Sequence, residues 1–249
     1  MVSKCIISKT KTCQTKGSGG HLNGLLATND GHCAKSTNKT ELEFYRDVYK
    51  KNLPLAQVIP EFNGICEYNN EYRLLLENVK KNYKDPCEID IKLGKYSAYL
   101  DELINKGDPV IHSIIKTIRM RIGDSLTASD QFNYRVAGGN FSNISKQDIK
   151  LYDSNSLIDK YLNDNKVLMK NLVKHLENIK DKLISTSKNQ NLMLIGLSVY
   201  ILYEKTNPNK CNVYLIDFAH SKLVEKKHES QKYCLNGLTN LINKINDSL

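Results

Sequence analysis

Apolar and polar positions follow two periods along this chain, and the change of period divides it. Early on, short alternating runs dominate. Residues 22–27 and 31–35 flank Thr28-Asn29-Asp30-Gly31, and Asp-Gly between such runs signals a β-hairpin. Residues 72–76 and 87–93 predict two further strands. Between the hairpin and those strands, Leu42, Tyr45, Val48 and Tyr49 share one face of a helix over 41–52, and Pro54 and Pro60 bracket a loop. The helical period then takes over. Residues 99–105 and 110–122 predict helices separated by Lys106-Gly107-Asp108-Pro109. Residues 132–137 alternate as a strand and run into Gly138-Gly139. Helices follow over 145–163 and 166–185, the second aligning Leu168, Leu172, Leu176, Ile179 and Leu183. Residues 192–203 predict one long apolar strand, which Asn207-Pro208-Asn209 turns into a strand over 212–218. A closing helix over 233–245 puts Leu238, Leu241, Ile242 and Ile245 on one face. Residues 1–19, rich in Lys, Ser, Thr and Gly, predict a flexible start. Strands early and helices late imply a bilobal α+β fold with its site between the lobes.

Composition narrows this picture moderately. The chain has 249 residues, enough for one large domain or two closely packed lobes. Its 36 Lys+Arg against 27 Asp+Glu give a net charge of +9, which favours an anionic partner: nucleic acid, a membrane surface or a polyphosphate. The seven cysteines form no C-x-x-C pair and no zinc-finger spacing. Cys87 and Cys211 fall in or beside apparent strands, where a reduced cysteine is a small hydrophobe. A reducing compartment, cytoplasmic or nuclear, is therefore expected. No apolar signal core and no 18-residue apolar run is present, so no transmembrane segment is expected.

The candidate chemistry lies at strand ends. Asp90 and Lys92 are two apart on a strand and so point to one side. Asp217 follows Val213-Tyr214-Leu215-Ile216 and emerges where that buried run ends. Taken singly, these are an ordinary ion pair and an ordinary strand-end acid. Together they suit metal-assisted phosphoryl transfer, in which an acid holds magnesium and a lysine meets the phosphate. Gly17, Gly19, Gly20 and Gly24 precede Lys35, but their spacing is not that of a Walker A loop. His112, Lys116 and Arg119 form a basic helical face with Arg121 close by, opposite Ile111, Ile114, Ile115 and Ile118. No exposed aromatic motif accompanies these basic residues as a nucleic-acid site would require, and no H-R-D loop of a protein kinase is present.

Pro86–Gly94 has the form P-x-x-x-D-x-K-x-G, and with it the chain resembles the inositol polyphosphate kinase family. Other segments agree in order. Gly20-His21 and Asp30-Gly31 resemble the family's first hairpin, and Glu41-Leu42-Glu43-Phe44-Tyr45 its E-L-E-F-Y helix start. Leu76-Glu77-Asn78-Val79 resembles its hinge, Tyr134-Arg135-Val136 with Gly138 its G-F-R-x-x-G strand, Ser198–Glu204 its S-L-L-x-x-Y-E strand, and Ile216–His220 its I-D-F-A-H. The resemblance spans about residues 17–245.

It implies a two-lobed kinase-like fold related to ATP-grasp proteins and protein kinases. Residues 1–16 would be a flexible N-terminus, 17–80 the N-lobe, and 81–249 the C-lobe with a short helical inositol-phosphate-binding segment over 95–124. Catalysis would fall to Asp90 and Lys92. Lys35, Glu77, Asn78, Val79, Ser198 and Asp217 would bind ATP and Mg2+, with Asp217 the metal ligand. Lys92, His112, Lys116, Arg119 and Arg121 would bind the inositol polyphosphate. The short segment after Gly94 and the Ala219-His220 pair resemble the multikinase and hexakisphosphate-kinase branches, so a multikinase-like enzyme for tris- and tetrakisphosphates is expected. Alternatives are a hexakisphosphate kinase, a trisphosphate 3-kinase, or a pseudoenzyme that binds polyphosphate without turnover; a nucleic-acid-binding domain is a further rival. A monomer needing no nucleic acid is expected. Asn78 stands where the hinge usually has Asp, Val199-Tyr200 replace two leucines, Gly196-Leu197 stand where serines are frequent, and Glu88 is a charge inside the signature strand.

Overall fold

Asn69 and Asn70 both adopt positive φ, 53° and 62°, and this pair explains a strand that periodicity did not show. A two-residue turn with both φ positive is the hairpin turn that matches strand twist, and asparagine tolerates it. It joins β5 (Phe62–Tyr68) to β6 (Glu71–Glu77). The first hairpin is as the sequence predicts: β3 (Leu25–Thr28) and β4 (His32–Ser36) turn through Gly31 at φ 87°. The computed structural model describes residues 3–4, 7–12, 24–95, 131–140, 149 and 152–249. The helices expected over 99–105 and 110–122 lie outside them.

Where a flexible start was expected, Ser3–Lys4 (β1) and Ile7–Thr12 (β2) are strands. Polarity is a poor guide there, because an edge strand needs little apolar surface and threonine and isoleucine favour extended backbone. The six strands form one sheet in the order β1-β5-β6-β4-β3-β2. Helix α1 (Lys39–Lys50) follows β4, and Pro54–Gln57 forms a short 3-10 turn.

A second sheet, ordered β11-β10-β7-β8, is built from β7 (Pro86–Leu93), β8 (Tyr134–Gly139), β10 (Ser198–Glu204) and β11 (Asn207–Ile216). The apolar run over 192–203 is not one strand. It breaks into β9 (Asn191–Met193), which pairs with β12 (Lys222–Val224), and then β10. Gly196, at φ 71°, makes the bend, and a continuous run of buried residues carries no other sign of one.

Three helices cover this sheet's side of the molecule. Of the span 145–163, the helix described is α2 (Ser154–Leu162), started by Asp153, whose side chain accepts the Ser156 N–H. Helix α3 (Lys166–Asn189) is capped by Asn165 and buries Leu168, Leu172, Leu176, Ile179 and Leu183, each worth about 1.5–3 kcal/mol of burial. Helix α4 (Glu229–Asn246) closes the fold, with Leu238, Leu241, Ile242 and Ile245 fully inside. The main core joins these helices to Phe44, Tyr45 and Val48 of α1 and to Leu74 and Leu76 of β6. Ala27 and Cys33 make a separate small cluster in the first sheet.

The cysteines are not uniformly reduced. Cys87, Cys211 and Cys234 are free, but Cys33 and Cys66 are each held in a disulfide. They lie on strands either side of β6, opposite Leu76 and Arg73 respectively. That offset of two strand spacings and three residues exceeds the reach of about 7 Å for bridged Cα atoms, so the two are not each other's partners. Sequence spacing cannot reveal such pairs, because sheet register decides which thiols meet. Among the described residues no helix is long and apolar enough to cross a membrane.

Candidate active site

Three neighbouring strands deliver the central charges. In register, Lys92 on β7 faces Ser198 on β10, and Ser198 faces Ile216 at the end of β11. The next residue, Asp217, leaves the sheet at φ 67°, a left-handed conformation that aspartate accepts more readily than most residues. Phe218 fixes this turn: its ring stacks on Phe44 at 4.5 Å and meets Tyr45 edge-on at 5.6 Å.

Asp217 lies between two lysines. Lys92 Nζ is 2.6 Å from Oδ2 and Lys35 Nζ 3.2 Å from Oδ1. Burial pushes the Asp217 pKa up, but Lys35 and Lys92 outweigh it and hold the carboxyl far below its ordinary value. Lys92 also donates to the Gly196 carbonyl at 2.9 Å. Lys35, on β4, is bound more tightly still by Glu41, at 2.5 Å. Burial alone would lower the Lys35 pKa; Glu41 and then Asp217 raise it above its ordinary value.

Glu41 is a residue the sequence placed only in a resembling helix start. It is buried in the first turn of α1. Its Oε1 accepts from Lys35 and from the Phe218 N–H at 3.1 Å, and its Oε2 from Thr37 at 3.1 Å. Asn38 caps the same helix, accepting the Glu41 N–H at 2.8 Å while its amide donates to the Ala219 carbonyl at 2.9 Å. The acid at the first turn of a helix, six residues after a strand lysine, was the available signal.

Asp90 stands two residues before Lys92 on β7 and opposite Tyr200. Burial raises its pKa, Lys92 opposes this, and Asp217 adds to the rise; the net shift is upward. Its Oδ1 is buried with no hydrogen-bond partner, and so is Ser198 Oγ, which faces it without closing a bond of normal geometry. A partnerless buried acceptor is costly in a folded chain.

These groups line a cavity of about 1110 Å³. The structure brings Lys35, Glu77, Asn78, Val79, Asp90, Lys92 and Asp217 to it. Ser198, fully buried, lies beneath rather than on the lining. His112, Lys116, Arg119 and Arg121 lie outside the described residues. Glu77 ends β6, and the chain then turns, with the Lys81 N–H donating to the Asn78 carbonyl at 3.0 Å. Arg135 on β8, paired in register with Lys92, adds another cation to the lining; the sequence quoted it within a resembling strand but gave it no role.

The described residues hold no cluster of three or more His, Cys, Asp or Glu that would cage a metal. Magnesium does not need one, since it is held by one or two carboxylates, with phosphate oxygens and water completing the shell. An Asp217 kept ionised fits that requirement.

A family model described as inositol polyphosphate kinase matches residues 73–246. The chain belongs to the inositol polyphosphate kinase family. The family assignment drawn from Pro86–Gly94 and its companion segments thus holds, as does the kinase-like α+β fold. Among solved structures, the inositol phosphate multikinase Ipk2 of S. cerevisiae, in complex with ADP and Mn2+, superposes with a TM-score of 0.68 at 20% identity, covering 86% of this chain and 97% of that one. A second inositol phosphate multikinase structure gives 0.66 at 18% identity, covering 85% and 100%. A search of curated proteins gives no match.

Two of the chain's departures from the family pattern turn out to be partners. The Tyr200 hydroxyl donates to Glu88 Oε2, and Lys80 lies 3.3 Å from the same oxygen. The acid in the signature strand is thus met by a phenol and an amine.

Proposed function

We propose that this protein transfers the γ-phosphate of ATP to an inositol polyphosphate, with a multikinase-like preference for tris- and tetrakisphosphates. The observation that carries this is Asp217 clasped between Lys35 and Lys92 beside a buried, partnerless Asp90. Phosphoryl transfer is mostly positioning and charge stabilisation, and each of these groups has a part. Lys35 meets the ATP phosphates, held in place by Glu41. Lys92 sits between nucleotide and acceptor and faces the transferring group as its charge spreads. Asp90 accepts the proton of the attacking inositol hydroxyl; its raised pKa makes it a stronger base than a solvated carboxylate. Asp217 is the group that would hold Mg2+, which supplies charge neutralisation at the phosphates. The backbone of Glu77–Val79 offers a carbonyl and an N–H to the base. The multikinase-like preference rests on the short segment after Gly94, on the basic residues His112, Lys116, Arg119 and Arg121, and on the likeness to Ipk2, which is in complex with ADP and Mn2+ in its crystal structure. The +9 charge gives such polyanions a favourable field.

The test is to incubate purified protein with ATP, Mg2+ and a panel of inositol phosphates and to separate the products. More highly phosphorylated species are expected, and Asp217→Ala should abolish them while its unfolding remains cooperative. Full turnover in Asp217→Ala overturns the metal assignment. Binding of an inositol phosphate with no product at saturating ATP overturns the enzyme reading in favour of a pseudoenzyme.

A further inference from the structure

The segment from Asn78 to Asp85 joins β6 of the first sheet to β7 of the second, and a buried acid holds each of its ends. At the far end, Glu204 of β10 accepts the Lys84 N–H at 2.8 Å and the Asp85 N–H at 2.7 Å. At the near end, Glu88 of β7 is 1% exposed, and its Oε2 lies 3.3 Å from Lys80 Nζ. The same oxygen accepts from the Tyr200 hydroxyl. Tyr200 stands opposite Asp90, so Glu88 is its diagonal neighbour across the strand pair, within reach of a long aromatic side chain. Burial and then Glu88 raise the Tyr200 pKa far above its ordinary value, which keeps the phenol a donor. The backbone of Glu88 is fixed as well. Its N–H donates to Asn140 Oδ1 at 2.9 Å, and its carbonyl accepts the Asn140 N–H at 3.1 Å.

Lys80 passes this hold on to the turn after β6. Its own N–H donates to Asn78 Oδ1 at 3.2 Å, and the Lys81 N–H donates to the Asn78 carbonyl at 3.0 Å. The ammonium and the turn are therefore parts of one short unit, and Asn78, Val79 and Lys80 all line the cavity. A lysine side chain in water samples many rotamers. This one is only 14% exposed and ends on a fixed carboxylate. Among the described residues, Glu88 is the sole acid paired with it. An ammonium deprived of its counter-ion seeks water rather than remain buried, and drawing it out pulls on the backbone that carries it.

Resting on the nucleotide-binding reading above, we infer that Glu88 is a positioning residue for the base: with Tyr200 it anchors Lys80, and through Lys80 it sets the backbone of Glu77–Val79 that receives the base. Glu88 touches neither nucleotide nor acceptor in this arrangement. Glu204 fixes where the connecting segment ends, and Glu88 fixes where it begins.

The test sets titration calorimetry of ATP with Mg2+ beside amide hydrogen exchange read by NMR, both on the full chain. Glu88→Gln keeps the side-chain length and an acceptor for Tyr200 but not the charge. It should bind ATP roughly tenfold more weakly than the wild type. Its Lys80 and Lys81 amides should exchange faster, while the Lys84 and Asp85 amides, held by Glu204, keep their wild-type rates. Lys80→Met should match it, and Lys80→Arg should restore most of the affinity because the charge returns. The double variant Glu88→Gln/Lys80→Met should be no weaker than either single one. An ATP affinity unchanged in Glu88→Gln, no recovery with arginine, or additive losses in the double variant overturn the Glu88 assignment and leave the nucleotide reading standing. Faster exchange that extends to Lys84 and Asp85 does the same, because it marks a structural acid and not a positioning one. No ATP binding by the wild type overturns both. Should Glu88→Gln fail to fold, Lys80→Met, which leaves the Tyr200–Glu88 bond in place, and Lys80→Arg carry the same comparison.

Discussion

Replacing Glu41 by glutamine isolates one charge at the centre of this site. The amide keeps the length of the side chain, and its carbonyl oxygen can still accept from Lys35 and the Phe218 N–H, as Glu41 Oε1 does at 2.5 and 3.1 Å. Its NH2 faces the Thr37 hydroxyl, which can rotate to accept. Only the negative charge is lost. Lys35 then retains one counter-ion, Asp217 at 3.2 Å, and shares it with Lys92 at 2.6 Å. A hydrogen bond to a charged group contributes about 1.5–3 kcal/mol and a neutral one about 0.5–1.5 kcal/mol. The difference, about 1–2 kcal/mol, is the expected loss for Glu41→Gln. It stays below the ~3–5 kcal/mol of a fully orphaned buried charge because Asp217 remains. For a chain of this size the loss lowers Tm by roughly 2–8 °C. Glu41→Ala also strips the Phe218 N–H of its acceptor and should lose about 3–5 kcal/mol. Urea and thermal unfolding of both variants provide the measurement, and nucleotide affinity is expected to weaken in the same order. If Glu41→Gln unfolds like the wild type, or if the alanine variant is no worse than the glutamine, the coupling of Glu41 to Lys35 described here is wrong.

The two acids of the site should respond to pH in opposite ways. The Asp217 pKa is depressed below 3.8 in the folded state, so its contribution to stability is present above that value and is lost as pH falls below it; the stability gap between wild type and Asp217→Asn, measured by urea unfolding, should narrow in that acid range. The Asp90 pKa is raised above 3.8, so its ionised form weakens the fold at neutral pH and the penalty fades as pH drops; Asp90→Asn should raise Tm at pH 7, give no gain below pH 3.8, and abolish turnover. Gly237 on α4 faces the Asn133 carbonyl, and a Cβ there would lie 2.0 Å from that oxygen. Gly237→Ala should therefore destabilise by about 1–3 kcal/mol despite the better helix propensity of alanine, as read by thermal unfolding.

Much of this site was readable in the sequence, because the residues that carry charge out of buried strands announce themselves. Asp90, Lys92 and Asp217 each interrupt an apolar run, and chemistry that needs an acid and a lysine together made their meeting predictable across more than a hundred residues. Glu41 was harder. An acid in a first helical turn has an adequate local explanation in the helix dipole, so nothing local marks it as the partner of Lys35. Glu88 and Tyr200 were visible separately as departures, but their pairing depends on the register of β7 with β10, which only the folded sheet fixes. Backbone geometry without a side-chain signature was the hardest to anticipate. The bend at Gly196 hides in an apolar run, the polar N-terminal strands look like linker, and the β5–β6 turn rests on two asparagines that could equally mark a loop.

Helix α1 follows a strand of the first sheet, yet its buried residues Phe44, Tyr45 and Val48 belong to the main core. It is fastened to the segment after β11 by the Asn38–Ala219 and Glu41–Phe218 hydrogen bonds and by the Phe44–Phe218 stack. Mechanically, then, α1 moves with the second sheet, and the lysine of β4 reaches across to it. Any opening that lifts the first sheet away must draw Lys35 off Glu41 and Asp217 together. Protection of the α1 amides against hydrogen exchange should accordingly track that of β10 and β11 rather than that of β3 and β4.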